Sequence, residues 1–84
     1  MSNVITDKDA KRNIAANVRR LLKARGWRAV DLAKATSENE MRISYLLREK
    51  RLPTAAFLAR LAEALDTTTD ELLSKPSEMQ LTSS

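Results

Sequence analysis

The residues of this chain best suited to chemistry lie between Glu40 and Arg51, and the chemistry they suit is recognition. Glu40, Met41, Arg42 and Tyr45 are followed closely by Arg48, Lys50 and Arg51. Arg42 can give two hydrogen bonds to guanine, and Glu40 can accept one from the cytosine amino group. Met41 and the Tyr45 ring can pack on a thymine methyl. Ser44 is open to two readings, because its small side chain also permits close helix packing. A helix with such readers at its start and cations at its end suits the major groove of DNA.

Catalysis fits the inventory poorly. The sequence has no histidine and no cysteine. It therefore lacks the commonest general base, any thiolate metal site and any disulfide framework. Asp70 and Glu71 are adjacent carboxylates, but neighbours on a helix point about 100° apart. They read as surface and cap. No glycine-rich phosphate loop, strand pattern or internal repeat is present, so no catalytic residues, no cofactor and no metal are expected. No apolar run approaches the roughly 20 residues of a membrane span. Met1 to Ile5 lacks the features of a signal peptide, and a cytoplasmic location is expected.

The charge is uneven along the chain. The net charge is +4 over 84 residues. From Lys8 to Arg51 there are thirteen Lys/Arg against five Asp/Glu, whereas Leu52 to Ser84 has two against five. A field concentrated in one half favours a polyanion and speeds encounter with it. A merely solvated basic surface would show the same composition, so the positions of the cations matter more than their number. Glu38 and Glu40 count against a phosphate partner by repulsion. Both also suit the first turn of a helix, where negative charge is favoured. At Glu40 the same charge can act as a filter, lowering general affinity while favouring particular bases.

The elements that must position these residues are helical. Ile14, Val18, Leu21 and Leu22 recur at helical spacing within a segment from about Asp7 to Arg25. Thr6 with Asp9 resembles a capping box at its start, and Gly26 supplies a left-handed stop at its end. Trp27 is expected to fold back over this helix. A second helix covers about Ala29 to Ala35, with Val30, Leu32 and Ala33 inward and Asp31 in its first turn. The polar stretch Thr36-Ser37-Glu38-Asn39 separates it from a third, from about Glu40 to Leu47, for which Asn39 is the N-cap. Ile43, Leu46 and Leu47 are its core positions. Thr54 caps a fourth helix over about Ala55 to Leu65, with Phe57, Leu58, Leu61, Ala62 and Leu65 forming its apolar stripe. Thr68 with Glu71 is a capping box for a short fifth helix carrying Leu72 and Leu73. Residues 1–6 read as a flexible arm, 7–74 as one domain and 75–84 as a flexible tail or linker. The tail would suit a connection to a missing C-terminal domain.

From about Ile14 to Leu73 the chain resembles the phage-repressor and Cro-like (lambda-repressor-like) helix-turn-helix family. Lys23-Ala24-Arg25-Gly26 is similar to the family's basic end of the first helix. Leu32-Ala33 and Ile43-Ser44 match its paired positions in the second and third helices. Lys50-Arg51-Leu52-Pro53 resembles its basic loop. Leu58 with Leu61-Ala62-Glu63-Ala64-Leu65 matches its fourth helix, and Thr68-Thr69-Asp70-Glu71-Leu72-Leu73 its closing run. The departures are Arg28 where the family caps its second helix with serine or threonine, and Ala29 where it often has glutamine. Thr36-Ser37-Glu38 replaces an apolar residue, glycine and valine in the turn, and Glu49 replaces the loop glycine.

The resemblance implies an all-α domain of five helices that binds double-stranded DNA as a transcriptional regulator, repressor-like, on a palindromic site as a homodimer. Glu40 and Met41 fall where the family's principal base readers sit, with Arg42 and Tyr45 beside them. Arg28, Asn39, Arg48, Lys50 and Arg51 are placed for phosphates, where contacts fix register rather than sequence. Lys8, Lys11 and Arg12 either add phosphate contacts or are only solvated. Leu72 and Leu73, with Met79 and Leu81, are the candidate dimer contacts, with the core as the alternative place for Leu72. The degenerate turn leaves a second reading open: a protein-interaction module, such as an antitoxin or anti-repressor domain on the same scaffold, with a protein partner.

Overall fold

The computed structural model describes residues 5–76 and contains, among them, five α-helices and no strand. They are α1 (Asp7–Arg25), α2 (Ala29–Thr36), α3 (Glu40–Leu47), α4 (Ala55–Ala64) and α5 (Thr69–Leu73). The expected starts and ends agree to within a residue. Expectations about Met79, Leu81 and the first four residues fall outside the described part.

Four of the five helices start where a side chain satisfies one of the first amides. Thr6, Asn39, Thr54 and Thr68 accept from the backbone N–H three residues on, at 3.1, 2.8, 3.1 and 3.1 Å. Helix α2 differs, because a guanidinium has no acceptor and Arg28 cannot cap. Asp31 reaches back instead, and its carboxylate accepts from the Arg28 N–H at 2.8 Å. Only half of the box expected at Thr6 forms, since the Asp9 carboxylate is taken by Arg12 at 2.6 Å. Glu38 also departs from expectation. It lies in the turn before Asn39, not in the first turn of α3.

Four helices end in one motif. Gly26, Ser37, Glu49 and Asp66 all have positive φ, between 55° and 69°. In each case the next N–H returns to the carbonyl five residues back, at 2.8 to 3.0 Å. This closure satisfies the orphan carbonyls of the last turn. Only Gly26 adopts the conformation without strain from a Cβ. Glu49 is exposed, with φ 62°. Glu49→Gly is therefore expected to stabilise the chain by about 1 kcal/mol, the strain relieved less the entropy glycine adds to the unfolded state. A rise in Tm of about 4–8 °C in a thermal melt is the expected reading. An unchanged or lower Tm would mean that the Glu49 side chain makes up for its backbone.

The core is one cluster. Ile14, Val18 and Leu22 from α1 meet Leu32 and Ala33, Ile43 and Leu46, Phe57, Leu61 and Ala62, then Leu65 and Leu72. Leu32 and Ala33 are buried as expected. Val30 is only half-buried and lies outside the cluster. Trp27, Leu47 and Leu73 pack at its edge. Helix α1 lies against α3 and α5, α2 against α3 and α4, and α4 against α5.

Leu72 is a correction. Expected at a dimer surface, it is 0 % exposed. Its whole side chain is spent on the core beneath α1 and α4, so it offers nothing to a partner.

Three buried polar residues carried no apolar signal. Asn17, 0 % exposed, donates to the carbonyls of Glu71, Leu72 and Ser74 at 3.0, 2.9 and 2.8 Å. Asn13, one turn earlier, donates to Leu73 O at 2.9 Å. The end of α5 is thus closed by α1 as well as by its own Ser74, whose N–H and hydroxyl donate to Glu71 O at 3.3 and 2.7 Å. The Thr36 hydroxyl donates back to Leu32 O at 2.8 Å. That bond lets a polar residue occupy a buried turn position at little cost.

Candidate nucleic-acid interface

Helix α3 is held at both ends by its neighbours, which leaves one face outward. Its N-terminus is capped by Asn39, whose Oδ1 is used for the Arg42 N–H while its amide remains available to an outside acceptor. At its C-terminus Arg19 of α1 donates to the Leu47 carbonyl at 3.0 Å. Ile43 and Leu46 point into the core. With about 100° per residue, Met41 and Tyr45 then lie on the opposite ridge, one turn apart. They are 63 % and 39 % exposed. Glu40 is exposed beside them, and Arg48 stacks its guanidinium 5.8 Å from the Tyr45 ring centroid.

Arg42 is turned elsewhere. It stands on the flank of α3 that faces α4, where its guanidinium donates to Glu38 at 2.9 Å and lies 5.1 Å from the Phe57 ring centroid. Five expected site residues, Asn39, Met41, Arg42, Tyr45 and Arg51, meet around a groove of about 360 Å³ between α3 and the start of α4. Its wall is completed by Leu52, Pro53, Thr54 and Phe57. Arg28, Arg48 and Lys50 are exposed but stand outside it, as does Glu40. Arg28 is at the N-terminus of α2, whereas Arg48, Lys50 and Arg51 surround the C-terminus of α3. Cations therefore flank the Met41–Tyr45 ridge along the chain.

The residues that sequence reasoning missed are Arg19, Leu52, Phe57 and Arg60. Glu38 with Arg42 was visible as an i,i+4 pair. Arg60, which also donates to the Glu38 carboxylate, is 22 residues away from it and gave no such signal. Among the described residues no group of histidine, cysteine, aspartate or glutamate could hold a metal ion. No described helix is long and apolar enough to cross a membrane.

The arrangement is a short helix set outward across a supporting one, after a tight turn with a left-handed residue. The sequence model of the helix-turn-helix family matches residues 18–72. The chain belongs to the Cro/C1-type helix-turn-helix family. Within it α2 is the supporting helix and α3 the outward one. The crystal structure of a hypothetical transcription factor, NHTF, from Neisseria is similar in fold. It aligns over 100% of this chain and 96% of its own, with a TM-score of 0.84 at 21% sequence identity. No curated protein sequence matches the chain.

Proposed function

We propose that this helix-turn-helix chain is a sequence-specific regulator of transcription, repressor-like, that binds a palindromic operator in double-stranded DNA as a homodimer. The reading is of a cytoplasmic binding protein, not an enzyme. The observation that carries it is the Met41–Tyr45 ridge. Two large, partly apolar side chains stand out from α3 with Glu40 beside them and no core to fill. A major-groove helix needs its readers there. Arg28, Asn39, Arg48, Lys50 and Arg51 take the phosphates on either side. Leu73, half-buried at the edge of α5, remains the candidate dimer contact among the described residues.

The second reading, a protein-interaction module, is favoured by one feature. Met41, Tyr45 and Leu52 are exposed around a single groove, and a protein partner could also cover them. Selection of bound sites from random duplex DNA separates the two. The expected result is an enriched palindrome with half-site centres about one helical turn, roughly 34 Å, apart. Recovery of no preferred sequence would make a protein partner the better reading.

A further inference from the structure

Glu38 ties three elements together. It stands in the turn between α2 and α3, and each of its carboxylate oxygens has its own cation. Oε1 accepts from Arg42 at 2.9 Å, and Oε2 accepts from Arg60 of α4. The Glu38 side chain is only 11 % exposed, against 47 % and 46 % for the two arginines. Both guanidinium groups also lie over one ring, that of Phe57, at 5.1 and 5.9 Å from its centroid. The carboxylate fixes their direction while the ring supports their faces.

The consequence concerns what α3 presents to a groove. Arginine bidentate to guanine is the commonest specific base contact, and Arg42 is the one arginine in the first turn of α3. Bound to Glu38 and laid on Phe57, it lies off the Met41–Tyr45 ridge. The exposed apolar side chains beside it lie among the charged Glu40, Arg48 and Arg51. Of the four exposed large hydrophobic side chains among the described residues, Met41, Tyr45 and Leu52 gather here, and Ile5 alone does not. In the major groove the apolar feature of a base edge is the pyrimidine C5-methyl.

We propose that Glu38 is a specificity-determining residue: by holding Arg42 and Arg60 on Phe57 it withdraws guanine recognition and leaves Met41, Tyr45 and Leu52 to read pyrimidine C5-methyl groups. This rests on the DNA-binding reading above. The same carboxylate also keeps two cations from phosphates, which lowers binding to unrelated sequence. Exposed ion pairs are individually modest, so the restraint is expected to be worth between about twofold and tenfold in affinity.

The test is site selection from random duplexes with the full chain, its Glu38→Gln variant and the double variant Glu38→Gln with Arg42→Gln, followed by salt titrations. The wild-type sites are expected to hold thymine opposite the ridge. Replacing that thymine by uracil removes only a methyl and should weaken binding about fourfold. Glu38→Gln should gain a preference for guanine at a neighbouring position and bind scrambled duplex more tightly. Its log–log salt slope should steepen by about 1–2 per subunit as the freed arginines reach phosphates. The double variant should lose the guanine preference. A variant that was only less well folded would lower all affinities alike and leave slope and preference in place. Identical sites and slopes for wild type and Glu38→Gln would overturn the proposal. So would a guanine preference in the wild-type sites that the double variant abolishes, although DNA binding would then stand. Failure of every variant to select any duplex would overturn the DNA reading and this inference with it.

Discussion

Raising salt from about 50 to 200 mM is expected to weaken operator binding by roughly 10⁴- to 10⁵-fold. The reason is the release of counterions from phosphates that Lys and Arg neutralise. Arg28, Arg48, Lys50 and Arg51 are all exposed, and none makes an ion pair among those described. About four to five such cations per subunit give a log–log slope of roughly −7 to −9 for a dimer. Arg28→Ala or Arg51→Ala should shallow the slope by about 0.9 for each phosphate left without its cation and weaken all sequences alike. Fluorescence anisotropy with a labelled duplex at stepped salt reads both quantities. A nearly flat titration would count against DNA as the partner and would direct attention to the groove beside Leu52 as a protein-binding surface.

Asn17→Ala is expected to be the most damaging small substitution away from that interface. The side-chain amide has no exposure and serves three carbonyls at the end of α5. Removing it takes the side-chain donor from the buried Leu72 carbonyl and from Ser74 O, while Glu71 O keeps Ser74, and it opens a small cavity; the combination costs about 2–4 kcal/mol. At about 4–8 °C per kcal/mol, the melting temperature should fall by more than 8 °C. Asn17→Leu would fill the volume but not supply the donors, so it should not recover the loss. Asn13→Ala removes one bond, to Leu73 O, and should cost only about 1 kcal/mol. Thermal and urea melts followed by circular dichroism give the comparison. Equal, small losses for both asparagines would show that α5 is held by burial of Leu72 alone.

Both experiments rest on features with different visibility in the sequence. The cations were legible because their exposure follows from type and from the helical spacing of the apolar residues between them. Asn17 was not. On a periodicity count it is a polar residue beside Val18, and nothing local shows that it faces the end of a helix more than fifty residues on. Leu72 stayed open between dimer surface and core for the related reason that a short amphipathic helix does not say whether its apolar side meets its own core or a second copy.

What the sequence by itself determined is the local structure. Thr6, Asn39, Thr54 and Thr68 as caps, Gly26 as a stop and the leucine and isoleucine spacing suffice to draw five helices, because capping and amphipathic periodicity act within a few residues. The outward ridge of α3 follows as well, since Ile43 and Leu46 inward place Met41 and Tyr45 outward. Only the tertiary structure decided which polar side chains are spent inside the molecule. It paired Glu38 with Arg60 across 22 residues, stacked Arg42 on Phe57, and set Asn17 on the last carbonyls of α5. It also put Ser37, Glu49 and Asp66 in left-handed conformations that their types do not announce. Such interactions join segments distant in sequence. Their direction is set by how whole helices pack, and no local propensity carries that information.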